Sequence, residues 1–135
     1  MVCGLRGRGV GVNIKIIVAT HKPYRMPEDS VYLPLHVGCE GKSDIGFAGD
    51  NTGENISRKN AGYCELTGLY WAWKNLDADV IGLAHYRRHF QSMENKRGDK
   101  WQRILGGTEI EKLMNGFDIL VPTKRNYFID RKSVV

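Results

Sequence analysis

The sequence contains few cysteines and no long apolar run. Its three cysteines, Cys3, Cys39 and Cys64, have neither the even number of a disulfide framework nor the C-x-x-C spacing of a zinc site. A reducing, cytoplasmic setting is therefore expected. The longest apolar stretch, around Ile16, is far shorter than the ~20 residues that span a bilayer, so no transmembrane helix is predicted. Residues 1–11 also lack the apolar core of a secretory signal.

Several enzyme motifs are absent as well. The sequence has no G-x-S-x-G elbow and no G-x-x-x-x-G-K-[ST] phosphate loop, and its glycine-rich segment at residues 7–11 precedes the first predicted strand instead of following it. What remains is the composition of one globular domain, with 135 residues, 41% hydrophobic and 26% charged.

The net charge of +5 favours an anionic partner. Basic and imidazole side chains concentrate between positions 85 and 103, which indicates either a local basic site or a solvated loop. Few aromatic residues interleave with them, so a nucleic-acid partner is not expected. The basic and imidazole residues of this segment are His85, Arg87, Arg88, His89, Lys96, Arg97, Lys100 and Arg103.

Apolar runs predict strands at 14–19, 80–84 and 117–121, with a brief strand at 31–37 interrupted by Pro34. A helix is predicted between Asn60, as its N-cap, and the turn at residues 74–79. A short helix is predicted with Thr108 as N-cap, Glu111 as its capping-box partner and Gly116 after the last turn. Strands that alternate with helices indicate an α/β sheet that is at least partly parallel.

The helix after Asn60 is rich in aromatic residues. Leu66, Leu69, Tyr70 and Trp73 recur at helical spacing on one face, and Cys64, Thr67 and Trp71 line an adjacent stripe. So wide an apolar surface predicts that the helix packs in the core on more than one side. The alternative is a platform on which sugars stack.

Polar side chains follow the strands at 14–19 and 80–84. On an extended backbone His85, Arg87 and His89 share one side of the chain, so three potential cations converge. Arginine matches phosphate oxygens bidentately, which favours a diphosphate ligand. In the structural alternative, Arg87 or Arg88 pairs with an acidic neighbour such as Glu65.

Carboxylates give a weaker signal. Asp77 and Asp79 have an Asp-x-Asp spacing that can hold a divalent cation, but they precede the strand at 80–84 and are interpreted as turn residues. The turn-forming residues 50–55 could bind a ligand, and the favoured interpretation is that they satisfy their own backbone.

Five ordered segments, 17–22, 26–27, 50–57, 64–75 and 81–90, closely resemble a bacterial domain-of-unknown-function family (4422). Its members occur among capsular and exopolysaccharide genes and are taken to be glycosyltransferases with a GT-A-like fold. The resemblance covers about residues 14–130. It implies an α/β, GT-A-like (Rossmann-like), mostly parallel nucleotide-sugar-binding sheet that is incomplete at its C-terminus.

The resemblance also implies roles for individual residues. Thr20, His21 and Tyr24 would hold the nucleoside, and Asn55, Ser57 and Asn60 are candidates for the sugar or diphosphate, unless Asn60 serves only as a cap. His85, Arg87 and Arg88 would neutralise the diphosphate in place of a metal ion, so no divalent metal is expected. His85 and Arg87 are the candidate catalytic residues.

The expected function is hexosyl transfer from a nucleotide sugar, with a UDP-sugar favoured, to a polysaccharide or lipid-linked acceptor in capsular or exopolysaccharide synthesis. The alternative is a non-catalytic nucleotide-sugar or polyanion-binding module. Residues 1–13 are expected to be a flexible or non-native lead-in, 14–130 the N-terminal part of the transferase domain, and 131–135 a tail at a truncated end. The expected location is cytoplasmic, with peripheral association at the inner face of the membrane as a further option.

Overall fold

The computed structural model describes residues 1–4 and 11–124, which form a six-stranded sheet between helices. The strands are β1 (Val2–Gly4), β2 (Ile14–Thr20), β3 (Tyr32–His36), β4 (Ala48–Gly49), β5 (Val80–His85) and β6 (Ile119–Leu120). The helices are a 3₁₀ turn at Ser57–Lys59, α1 (Asn60–Tyr63), α2 (Leu66–Asn75) and α3 (Gly107–Met114).

The strand order is β4-β3-β2-β5-β1-β6. The first four strands in this order run parallel, and β1 is antiparallel to both of its neighbours. The apolar runs at 14–19 and 80–84 are therefore confirmed as the central parallel pair. The predicted strand at 117–121 is shorter, since only Ile119–Leu120 pairs with β1.

β1 is a strand that the sequence does not predict. Residues 1–13 were expected to be a lead-in, yet Val2 lies between Gly82 of β5 and Leu120 of β6 and is 1% exposed. A Cβ on Gly82 would lie 3.2 Å from the Val2 side chain, so the glycine allows this close approach. Backbone groups of β5 and β6 that would otherwise lack strand partners are paired by β1, which explains the strand.

Pro34 lies inside β3, where the sequence predicts an interruption. Val37 donates its N–H to the Thr20 carbonyl of β2, and strand alternation turns Pro34 toward the opposite side. There β4 pairs only with Leu35 and His36. The missing N–H of proline therefore costs the sheet no ladder hydrogen bond.

Alternate residues of β2 pack on opposite faces of the sheet. Ile16 and Val18 join a core cluster with Ile110 of α3. Ile17 and Ala19 belong to a second cluster, which also includes Leu35, Trp71 and Ala72. The nearly continuous apolar run of β2 is explained by burial on both faces.

Of the two sides of α2 that were predicted to be buried, only the one that carries Thr67 and Trp71 is buried. Leu66 and Trp73 are 51% and 59% exposed, whereas Thr67, Gly68, Trp71 and Ala72 are buried. A Cβ on Gly68 would lie 2.7 Å from Val37, so the helix approaches the sheet through its smallest residue. Close backbone approach, and not hydrophobicity alone, selects the face.

The helix ends also differ from the predicted caps. Asn60 is the first residue of α1 and not an N-cap, because Lys59 holds that position. Cys64, at φ 49°, separates α1 from α2. Gly106 precedes α3 in place of the predicted Thr108–Glu111 capping box, and the distant Asp29 carboxylate accepts the N–H of Gly107 at 2.9 Å.

Candidate functional site

The parallel strands end at one edge of the sheet. Thr20 ends β2, His36 ends β3 and His85 ends β5. In open α/β sheets, ligands bind outside the carboxyl ends of the strands. The loops that leave these strands therefore define the candidate site.

β5 ends in a tight turn. Arg88 N–H donates to the His85 carbonyl at 2.8 Å, and His85 N–H donates to the Arg88 carbonyl at 3.2 Å. The predicted alternation of His85, Arg87 and His89 is therefore wrong, because the turn interrupts the two-residue repeat. Tyr86 is 2% exposed, whereas Arg87 and Arg88 are exposed.

An aromatic cluster, made of His21, Tyr24, Tyr86 and Trp101, forms where the loop after β2 meets this turn. The rings of His21 and Tyr24 contact Tyr86 edge-on, with centroids 5.3 and 5.0 Å away. Trp101 lies beside Tyr24, with 6.4 Å between centroids. Rings of this kind are the surfaces on which proteins stack nucleobases.

Positive charge surrounds the aromatic cluster. Arg87 lies 5.3 Å from the Tyr86 ring centroid, and Arg25 lies 4.6 Å from that of Trp101. Within the described part of the chain, Arg87 forms no ion pair, whereas Arg25 lies 3.9 Å from Glu28. Four cations in all lie over these rings: Lys22, Arg25, Arg87 and Lys100.

A cleft of about 530 Å³ opens beside the end of β5. Leu83 and His85 line it, and Tyr86, the residue after His85, joins the aromatic cluster. The cleft and the aromatic cluster therefore adjoin at the peptide bond between His85 and Tyr86. The polar side chains that line the cleft are Glu65, His85, Arg88, His89, Thr123 and Lys124.

His85 is held between two partners. Its Nδ1 accepts the backbone N–H of Arg87 at 3.2 Å, and its Nε2 lies 3.9 Å from Glu65 Oε1. Burial lowers the pKa of His85 below its ordinary value of 6.5, with Glu65 acting in the opposite direction. Burial therefore favours the neutral imidazole, and His85 takes the place beside Glu65 that the structural alternative gave to an arginine.

His89 lies between the cleft and Trp101, whose ring centroid is 5.4 Å away. Neither ring nitrogen has a hydrogen-bond partner of good geometry among the described residues, and both are buried. Burial lowers the pKa of His89. The positive charge of the site therefore comes from arginine and lysine.

Of the three residues expected to hold the nucleoside, two lie in the aromatic cluster. His21 and Tyr24 are exposed and contact Tyr86. Thr20 is 1% exposed, and its hydroxyl donates to the Lys22 carbonyl at 2.6 Å. Thr20 therefore shapes the loop and offers no free group to a ligand.

Ser57 and Asn60 belong to a buried hydrogen-bond network around Asp50. The fully buried Asp50 carboxylate accepts the hydroxyls of Ser57 at 2.5 Å and Thr67 at 2.6 Å, together with the N–H of Gly38 at 2.8 Å. Asn60 donates to Thr67 at 3.0 Å. These hydrogen bonds occupy the Ser57 hydroxyl and the Asn60 amide nitrogen within the protein, and contact of either residue with the donor stays a prediction.

The side chains of Asn55 and Asp79 accept hydrogen bonds from backbone N–H groups. Asn55 Oδ1 accepts the Ser57 N–H at 3.2 Å. Asp79 accepts the N–H of Asn13 at 2.8 Å, at the start of β5 and far from its carboxyl end. The interpretation of Asp77 and Asp79 as turn residues agrees with this position.

The sequence analysis gave no role to Trp101 or Arg25, and it included Lys100 only as part of the basic segment at 85–103. The basic residues that surround Trp101 in the sequence were a usable signal, because stacking rings between cations suit a nucleotide. Its pairing with the loop after β2 could not be read locally, since 76 positions separate Trp101 and Arg25.

Among residues 1–4 and 11–124, no group of three or more His, Cys, Asp or Glu side chains is placed to hold a metal ion. No helix in the same residues combines the length and apolar character needed to cross a membrane.

Comparisons with known proteins agree with this geometry. The apo structure of WbbM, a bifunctional glycosyltransferase, matches with 45% identity and a TM-score of 0.58, over 66% of this chain. This chain spans only 16% of that one. No match is found among curated proteins. The likeness confirms the expected α/β, GT-A-like fold.

A family described as "Domain of unknown function (DUF4422)" matches residues 15–134, which extends past residue 130, where the resemblance was expected to end. With a match over most of its length and a sheet of the expected architecture, this chain belongs to the DUF4422 family.

Proposed function

We propose that this chain binds a nucleotide sugar and takes part in sugar transfer to a capsular or exopolysaccharide acceptor. The carrying observation is the aromatic cluster at the carboxyl edge, where rings for a nucleobase lie among cations for a diphosphate. The glycosyltransferase named in the structural comparison supports the same class of reaction.

In this proposal the nucleobase stacks against Tyr24 and Trp101, whose rings lie side by side at the rim of the aromatic cluster. Arg87 and Arg88 lie in the turn that links this cluster to the cleft. Their guanidinium groups would neutralise the leaving nucleoside diphosphate as the bond from the sugar breaks. A divalent cation is not required for that step.

The cleft beside β5 suits the sugar and its acceptor. Glu65 reaches into it beside the neutral His85. We assign to the Glu65 carboxylate the proton that the attacking hydroxyl of the acceptor loses as its oxygen bonds to the sugar. Since His85 Nδ1 accepts the Arg87 N–H, the neutral imidazole carries its hydrogen on Nε2, where it can orient Glu65. Arg87 is the proposed catalytic cation, because it would contact the leaving group.

The second candidate is a nucleotide-sugar-binding module without turnover. It is favoured by the small share of the WbbM chain, 16%, that this chain spans. Incubation with a UDP-sugar separates the two, because only the transferase releases UDP.

Calorimetric titration with UDP and UDP-galactose tests donor binding directly. We expect saturable binding that is unchanged by EDTA or manganese. Replacement of Trp101 by Ala should weaken binding by ~1–3 kcal/mol. Binding that requires manganese would contradict the cationic site, and no binding by a folded chain would contradict both candidate functions.

A further inference from the structure

Trp101 lies in a loop, residues 91–104, that leaves the sheet after the turn at the end of β5 and returns before α3. The N–H of Ser92 donates to the Arg103 carbonyl at 2.7 Å and closes the base of this loop. The Asp99 carboxylate accepts the N–H of Trp101 at 2.8 Å and shapes its tip. We call this segment the tryptophan loop.

Glu109 of α3 holds the first part of the tryptophan loop. Its carboxylate accepts the Ser92 hydroxyl at 2.6 Å and the N–H groups of Met93 and Glu94 at 2.8 and 3.3 Å. Glu109 and Ser92 are both buried. Ile110, the next residue of α3, lies fully buried in the core that includes β2, so the helix fixes the position of the carboxylate.

The Glu109 carboxylate acts only as an acceptor of hydrogen bonds. Burial disfavours its charged form, but the hydrogen bonds from Ser92, Met93 and Glu94 outweigh burial and hold the pKa of Glu109 below its ordinary value of 4.5. The group is therefore charged at pH 7, and it accepts three donors without offering one.

Asn95 extends the contact with Glu109 to the part of the loop that bears the indole. Its N–H donates to the Ser92 hydroxyl oxygen at 2.8 Å, and its side-chain amide donates to the Gln102 carbonyl at 2.9 Å. Gln102 follows Trp101 in the sequence. A continuous series of hydrogen bonds therefore runs from α3 to the backbone beside the indole.

This series ends where the tryptophan loop meets the segment after β2. The ring centroids of Tyr24 and Trp101 are 6.4 Å apart, and the Arg25 guanidinium lies 4.6 Å from the Trp101 centroid. A surface that is held in place before its ligand arrives loses less conformational entropy on binding. We propose that Glu109 is a positioning residue that holds Trp101 beside Tyr24 and so raises the affinity of the site for a nucleotide. This inference rests on the proposed nucleotide site.

Calorimetric titration with UDP and hydrogen exchange together test the proposal. Glu109→Gln keeps the size of the side chain but turns an amide NH₂ toward groups that are donors themselves, so it should weaken UDP binding about fivefold. Exchange of the backbone N–H groups in the tryptophan loop should become about tenfold faster, with β2 and β5 unchanged. Asn95→Ala, at an exposed position, should weaken UDP binding about threefold without disturbing the core.

Glu111→Gln is the matched control, because Glu111 is exposed in the same helix, and it should leave UDP binding and exchange unchanged. In a chain that already carries Trp101→Ala, Glu109→Gln should weaken UDP binding by less than about twofold, since the ring that it positions is gone. An equal loss of affinity with and without Trp101 would show that Glu109 acts on the fold as a whole, and it would overturn the proposal.

Two further outcomes separate this inference from the proposed function. If Trp101→Ala weakens UDP binding while Glu109→Gln and Asn95→Ala do not, the nucleotide site is retained and the positioning role is refuted. If the folded chain does not bind UDP, or if Trp101→Ala binds it as tightly as the unaltered chain does, the proposed nucleotide site fails and this inference fails with it.

Discussion

The hydroxyl of Thr67, near the start of α2, donates to the carboxylate of Asp50 at 2.6 Å and ties the loop after β4 to the helix. The same carboxylate also accepts the N–H groups of Gly38 and Cys39 after β3. The buried Asp50 side chain therefore connects α2 to two loops, the one after β3 and the one after β4. The carboxyl edge is rigid at this end for that reason.

Replacement of Asp50 by Asn tests this network. We expect the free energy of unfolding to fall by about 3 kcal/mol, because the amide brings N–H donors to partners that are donors themselves. Urea denaturation measures the change. Asp44→Asn is the control, since exposed Asp44 accepts only a local N–H from Gly46, and it should cost less than about 1 kcal/mol. Equal losses in the two variants would contradict the role of Asp50.

Acid should weaken the fold through the same residue. Burial disfavours the charged carboxylate, but the hydrogen bonds outweigh burial and hold the pKa of Asp50 below its ordinary value of 3.8. The stabilisation is therefore present above pH 3.8 and is lost as the pH falls through the lower folded value. Thermal melts between about pH 2 and pH 6 should show a steeper decline below pH 3.8 for the unaltered chain than for Asp50→Asn. Parallel curves would refute this assignment.

Gly68 should tolerate no larger side chain. A Cβ there would lie 2.7 Å from Val37 and 3.1 Å from Leu35, so Gly68→Val should lower the free energy of unfolding by about 2 kcal/mol. In the matched variant, Gly62→Ala, the added Cβ meets no atom within 4 Å. That change should be neutral or stabilise α1 by about 0.5 kcal/mol. Thermal denaturation compares the two.

Arg87→Ala should weaken UDP binding by about 1.5 kcal/mol, or roughly tenfold in Kd, with little change in stability. This value is the lower end of the ~1.5–3 kcal/mol that a hydrogen bond to a charged group contributes, because Arg87 is exposed. Arg97→Ala removes the same charge from the same basic segment, away from the aromatic cluster. Like an ordinary surface substitution, it should change the affinity for UDP by less than about twofold. A collapse of the fold in Arg87→Ala would show instead that the arginine is structural.

The sequence predicted the parts of the fold that depend on local apolar patterns. β2 and β5 were found almost residue by residue, because runs such as that at Ile16 and Ile17 are buried on both faces. Both sides of α2 were predicted to be buried, since Trp71 and Trp73 are equally apolar, and only the side of Trp71 is buried. The deciding residues were Gly68, by its size, and Thr67, by its bond to Asp50.

The candidate site was predicted in part for the same reason. His21 and Tyr24 were placed at the carboxyl edge because a strand end is readable from sequence. Trp101 was not, because its contact with Tyr24 joins distant segments. A sequence also does not show which polar side chains bond to one another, as Ser57 does with Asp50 and Asn60 with Thr67.

The position of β1 bears on the order in which the chain folds. Val2 pairs with Gly82 and Leu120, whereas the pairing of β2 with β3 joins segments close in sequence, as Ile16 with Tyr32. Contacts of long sequence separation form late, because loop closure must precede them. During synthesis the parallel strands can assemble before β6 has left the ribosome, and β1 gains its second neighbour only after that.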